Sequence, residues 1–277
     1  VSSEIEVLGD GTLRGPWRTP YNIAAEAEGS IHNDETAREL GLEGGWIAGS
    51  IHMEQFVPLF LKRFGPGWFE TGGFSVYFKN ATLSGQRVRA TLFPIVDQFH
   101  VSKFVMHDAE DRVVCEGEAW LGERPNETVL KSRMLRFGDD QAGPLLRNLT
   151  IGARVSDIPS QIDKVRLARD LQNITEPVPA YDQGVLPPNL AIDTLRAVEQ
   201  NLLSLPENVV GLYGGIELQL IDGPVCAGTK YVASGKVLEL GQTPRTEVLF
   251  YESDLFDKGM KIANMIMMSR IMGIVAT

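Results

Sequence analysis

Two stretches of equal length decide the fold: "GGFSVYFKNATLSGQRVRATLFPI", residues 72–95, and "GGIELQLIDGPVCAGTKYVASGKV", residues 214–237. Each begins Gly-Gly, runs on as an alternating strand, turns at a glycine (Gly85 in one, Gly228 in the other) and resumes as a second long strand. One structural unit written twice in a chain is a repeat, and the architecture has to be read from it.

The correspondence extends in both directions. Upstream of the first stretch, "SIHMEQFVPLFLKRF" (50–64) spaces Met53, Phe56, Val57, Phe60 and Phe64 as the buried stripe of a helix. Upstream of the second, "PPNLAIDTLRAVEQNLL" (187–203) does the same with Ala191, Leu195, Val198 and Leu202, and Pro187 or Pro188 suits its first turn. Pro58 should kink the first helix, because its ring removes the hydrogen bond to the Glu54 carbonyl. Downstream, "HVSKFVMHDAE" and "RVVCEGEAWLGE" complete a first sheet, and "RTEVLFYESDLF" and "GMKIANMIMMSRIM" a second. The last of these is apolar on both faces, which reads as a strand covered on both sides. The expected division is residues 1–124, a linker over 125–155, and residues 156–277.

A long helix followed by an antiparallel sheet, duplicated in one chain, resembles the double hot-dog fold, an α+β architecture. That resemblance implies two units with their sheets side by side and an acyl-thioester ligand between them. Duplication supplies internally what a homodimer supplies with two copies, so a further homodimer is allowed but not required.

Composition narrows the function classes. The chain has 277 residues, 43% hydrophobic and 22% charged, with a formal charge of −10. That balance describes a globular protein and argues against nucleic acid as a partner, since phosphate-backbone binding needs clustered Lys and Arg. Cys115 and Cys226 form neither a disulfide framework nor metal-type spacing. No basic leader or long apolar run stands out, so a cytoplasmic protein with no membrane contact is expected. "GLEGG" lacks phosphate-loop spacing, and neither a cofactor nor a metal is expected. His100 and His107 fall on one expected strand, seven apart, and face opposite sides.

The chemistry-bearing stretch is "SIHNDETARELGLEGGWIAGSIHM", residues 30–53. It resembles MaoC-like (R-specific enoyl-CoA hydratase-like) proteins, whose loop Asp-x-Asn-Pro-Ile-His-x-Asp precedes the central helix; residues of about 20 to 122 are covered. Ile31, His32 and Asp34 match the second half of that loop, and "ETARELGLEGG" the short helix and glycine turn after it. The family's aspartate falls on Ala27, its asparagine on Gly29 and its proline on Ser30. One member of the acid/base pair is therefore replaced.

The resemblance implies a hydratase or dehydratase, a lyase acting on an acyl thioester or related activated carbonyl compound, linked to CoA or an acyl-carrier protein. His32 would be the general acid/base, with Glu28 or His52 as candidate partners in place of the missing aspartate. Gly49 and Ser50, at the start of the central helix, would offer backbone N–H groups to the developing oxyanion. Asp34 reads as an N-cap or a substrate-binding residue. Two alternatives stay open: an acyl thioesterase using Asp193 on the second helix, and a noncatalytic or repurposed pocket.

Overall fold

A computed structural model describes residues 4–22, 25–26, 30–39, 41, 43–95, 100–137, 142–203 and 209–273. The first half runs β1 (Glu6–Val7), β2 (Leu13–Arg14), α1 (Asp34–Glu39), α2 (Gly49–Glu54), α3 (Val57–Phe64), α4 (Trp68–Thr71), β3 (Gly72–Phe78), β4 (Val88–Ile95), β5 (Val101–Asp108) and β6 (Val113–Leu121). Then come α5 (Val129–Met134), β7 (Arg154–Ser160), α6 (Lys164–Asp170), a 3₁₀ turn at Leu171–Asn173 and α7 (Pro179–Asp182). The second half continues as α8 (Pro188–Leu202), β8 (Val209–Leu220), β9 (Tyr231–Gln242), β10 (Glu247–Asp257) and β11 (Met260–Gly273).

The strands form one antiparallel sheet in the order β1-β2-β4-β5-β6-β3-β8-β11-β10-β9-β7. Within each half the first long strand pairs with the fourth, the fourth with the third and the third with the second. The two Gly-Gly strands are the seam. Gly73 lies opposite Gln219 and Tyr77 opposite Gly215, with Ser75 facing Glu217 at the centre. In the aligned repeat Gly73 corresponds to Gly215 and Tyr77 to Gln219, so each strand meets its own counterpart about a local two-fold axis, as in an isologous dimer interface.

The helices α2, α3 and α8 fill one face of the sheet. Met53, Phe56, Val57 and Phe60 from α2 and α3, and Leu190, Ala191, Leu195 and Val198 from α8, enter a common core. Phe64 and Leu202, at the ends of the two expected stripes, pack partly buried at its margin. The break expected at Pro58 is present: α2 stops at Glu54 and α3 restarts at Val57 with the proline in its first turn. Trp68 and Phe74 close this core against Phe60, at ring-centroid separations of 5.0 and 6.3 Å. Gly72 is required there, because a Cβ would lie 2.2 Å from the Trp68 ring.

The other face of the second sheet is also covered. β11 sends Met265 and Met267 to the main core and Ile266 and Met268 to a smaller cluster with Val248, Phe250 and Leu130. Leu130 comes from α5, whose Thr128 cap accepts the Lys131 N–H and whose Leu130 N–H reaches Ser75 Oγ at the seam. The 125–155 segment thus contains the helix that seals the outer side of the junction, and β7 begins at its end. Leu130→Ala is expected to cost about 2 kcal/mol through lost burial and a residual cavity, read as a lower urea midpoint.

His107 lies in β5, and His100 just precedes it in a left-handed conformation with φ of 54°. Among the described residues no group of three His, Cys, Asp or Glu could hold a metal, and both cysteines are free thiols. No helix among them is long and apolar enough to cross a membrane.

Candidate active site between the two halves

A cavity of about 740 Å³ opens between the halves. Its first wall is His32, Trp46–Gly49, His52 and Phe78–Ala81; its second is Arg196, Gly211–Tyr213, the β9–β10 turn Thr243–Thr246, Arg270 and Met272. Of the expected residues, His32, His52 and Gly49 are brought together here. Ser50 is buried just behind the wall, and Asp34 and Asp193 are not lining residues. Ala27 and Glu28 lie outside the described residues.

The loop bearing His32 is folded back on the glycine turn. Trp46 N–H donates to the Ile31 carbonyl at 3.0 Å, and Gly45 N–H to Asp34 Oδ1 at 2.8 Å. A Cβ on Gly45 would fall 2.2 Å from the His32 carbonyl oxygen, so the close approach needs glycine. The approach brings the Trp46 carbonyl to 2.6 Å from His32 Nδ1. A carbonyl can only accept, so Nδ1 carries the proton and the Nε2 lone pair is left for base chemistry. Burial lowers the His32 pKa from its ordinary 6.5, against the opposing pull of the Trp46 bond. The ring is neutral at neutral pH.

Asp34 does not cap α1. The preceding residue, Asn33, does so: its Oδ1 accepts the Glu35 and Thr36 N–H groups at 3.0 Å each. Asp34 is the first helical residue, one position too late to reach those N–H groups, and its carboxylate instead ties the glycine turn to the loop.

His52 is 2% exposed, with Nε2 at 2.8 Å from Thr82 Oγ1 and Nδ1 without a partner. Burial drives its pKa down to about 4, so it too is neutral. Ala48 caps α2 without a side-chain bond, the Ile51 N–H takes the Ala48 carbonyl at 3.0 Å, and Gly49 at the start of the helix lines the cavity. Gly49 packs beneath Phe78, whose ring would be 2.8 Å from an added Cβ.

Asp193 is engaged elsewhere. Arg166 and Arg196 both pair with it, the latter at 3.6 Å. Arg196 continues to Glu199 at 2.8 Å and lies over the Tyr213 ring at 5.0 Å. Burial pushes the Tyr213 phenol up to about 12, keeping it protonated. The sequence reading missed the entire second wall. Gly214, the opening glycine of the second repeat, was the available pointer, since it lies next to Tyr213 and against Arg270.

No protein-family model matches the chain, and no curated protein matches it in sequence. Solved structures do match it in shape. A MaoC domain protein from Chloroflexus aurantiacus J-10-fl, described as a dehydratase, superposes with a TM-score of 0.62 at 14% identity, covering 95% of this chain and 94% of that one. A conserved hypothetical protein from Mycobacterium tuberculosis described as having a double hotdog fold gives 0.55 at 15%, covering 92% and 94%. The fold is a double hot-dog. The dehydratase domain of the polyketide PpsC from Mycobacterium tuberculosis shares it, with a TM-score of 0.54 at 11% identity over 98% of this chain and 97% of that one. Those matches run nearly end to end, so both halves of this double hot-dog belong to the shared architecture.

Proposed function

We propose that this double hot-dog protein is a hydro-lyase, hydrating or dehydrating an acyl thioester or related activated carbonyl compound, with His32 as its general acid/base. The observation that carries the reading is the Trp46 carbonyl on His32 Nδ1, which fixes a neutral imidazole with its lone pair on Nε2 at the wall of the cavity between the halves. The names of the structural neighbours support the same reaction class.

The described cavity wall contains no carboxylate. One imidazole is enough for both proton transfers. In hydration, Nε2 takes a proton from water as the oxygen bonds to the β-carbon; the electron pair moves onto the thioester oxygen; the histidinium then returns its proton to the α-carbon. Dehydration is the reverse. The N–H groups at the start of α2, Gly49 first, would receive the oxyanion, and His52, held by Thr82, would shape the floor of the site.

The test is a panel of enoyl- and 3-hydroxyacyl-thioesters followed for double-bond absorbance and for free thiol. A change in unsaturation without thiol release is expected. Thiol release alone would replace the hydro-lyase with a thioesterase.

A further inference from the structure

The cavity is cationic in a chain whose net charge is −10. Four basic side chains border it: Lys79, Arg196, Arg245 and Arg270. Two have their charge answered: Lys79 donates to Glu116 at 3.0 Å, and Arg196 to Glu199 at 2.8 Å. Arg245 and Arg270 form no ion pair among the described residues.

Arg270 is the more telling of the two. Its Nη2 donates to the Tyr77 hydroxyl at 2.8 Å, while its Nε is buried with no acceptor. Arg133, itself paired with Glu116 at 3.8 Å, stacks on the same tyrosine 3.6 Å from the ring centroid, so it supplies Arg270 with no anion. Space for the guanidinium is built into the strand. Gly214 sits at the irregularity where β11 shifts register against β8, and a Cβ there would be 3.1 Å from Arg270 Nε. A guanidinium held partly out of water with only a neutral tyrosine as partner and a donor unused is costly unless an anion completes it.

We propose that Arg270, with Arg245 on the exposed rim, is a carboxylate-binding subsite, so that the acyl group of the substrate carries a carboxylate remote from the thioester. The planar fork of arginine fits a carboxylate with two parallel hydrogen bonds. A phosphate of CoA offers the same anionic oxygens, but the pantetheine arm separates it from the thioester. Arg270 lines the same cavity as His32, so in this proposal the acyl chain, rather than the distant CoA phosphates, is set against it. The thioester end of this picture rests on the hydro-lyase reading; the carboxylate subsite does not.

The experiment crosses two tails with two carriers. Six-carbon 2-enoyl groups ending in a carboxylate or in a methyl are made as CoA thioesters and as N-acetylcysteamine thioesters, which have no phosphate. Turnover is followed for the wild type, Arg270→Met and Arg270→Lys. Binding of the saturated counterparts, which have no double bond to hydrate, is measured by calorimetry. The wild type should prefer the carboxylate tail about tenfold or more on both carriers, a factor in the range of one charge-assisted hydrogen-bond pair. Arg270→Met should collapse that ratio towards one in both turnover and binding, and Arg270→Lys should restore part of it. An Arg270→Met penalty that follows CoA whatever the tail assigns the arginine to phosphate and overturns the proposal, as does an unchanged tail ratio. If no tail is hydrated while the Arg270-dependent binding preference persists, the hydro-lyase reading falls and the subsite stands.

Discussion

On the proposed hydro-lyase reading, His32→Ala is expected to lower the rate of enoyl-thioester hydration by about a thousandfold, within the range that follows from removing a general acid/base. The loss falls mainly on kcat, because the residue acts when the proton moves and the rest of the cavity wall is untouched. Its pH dependence separates a catalytic from a structural role. Burial holds the His32 pKa below 6.5, so the acidic limb of kcat/KM in the wild type should lie below pH 6.5. That limb disappears from the residual activity of His32→Ala, and added imidazole partly restores the rate by occupying the vacated space. A variant with wild-type rate, or one whose acidic limb is unmoved, removes His32 from the mechanism.

The contact that leaves the His32 Nε2 lone pair free is one that the sequence could not display. The histidine itself was legible from the loop, and so was the glycine turn after it. Their connection was not, because the partner is the main-chain carbonyl of Trp46, fourteen residues away, and a carbonyl has no residue identity to read. Asp34 was misplaced by a single position for a related reason. Asn33 and Asp34 are both good caps by type, and only the backbone decides which one stands outside the first turn.

The fold was far more open to reading. Strand periodicity and the repeated Gly-Gly marked the strands of both halves, because the same residues that pack the core also carry the pattern. The seam was hidden: nothing in "GGFSVYF" or "GGIELQL" says that these two strands pair with each other. The second cavity wall was hidden by distance in sequence. Arg196 comes from a helix, Tyr213 from the next strand and Arg270 from the last, and each alone is an ordinary residue on an ordinary element. Only the closure of the two halves places them beside His32 in one cavity.

The two halves are also locked together through a buried carboxylate. Glu54, 1% exposed at the end of α2, accepts the Asn189 N–H at 2.7 Å and the Tyr181 hydroxyl at 3.1 Å. Asn189 lies in the first turn of α8, so a side chain of the first central helix serves as the cap that Pro187 cannot provide for the second. Glu54→Ala leaves a buried amide and a buried hydroxyl without an acceptor and opens a cavity, an expected loss of about 3 to 5 kcal/mol. Glu54→Gln keeps an oxygen for Asn189 and should be much milder. The two variants also differ from the wild type in pH dependence. Burial raises the Glu54 pKa from 4.5 to about 8, so the folded chain holds this proton more tightly than the unfolded one. Its contribution is therefore complete below pH 4.5 and is lost as pH rises to about 8, with a limiting slope of about 1.4 kcal/mol per pH unit. Glu118, raised to about 7 by burial, adds a slope of the same sign. His52, lowered to about 4, acts oppositely and only below 6.5. Urea midpoints of the wild type should thus fall between pH 6.5 and 8, and those of Glu54→Gln should fall less steeply, making the variant relatively more stable at the alkaline end. Parallel curves for the two proteins would mean that Glu54 is ionised in the fold throughout, and that its bonds to α8 are those of a carboxylate rather than a protonated acid.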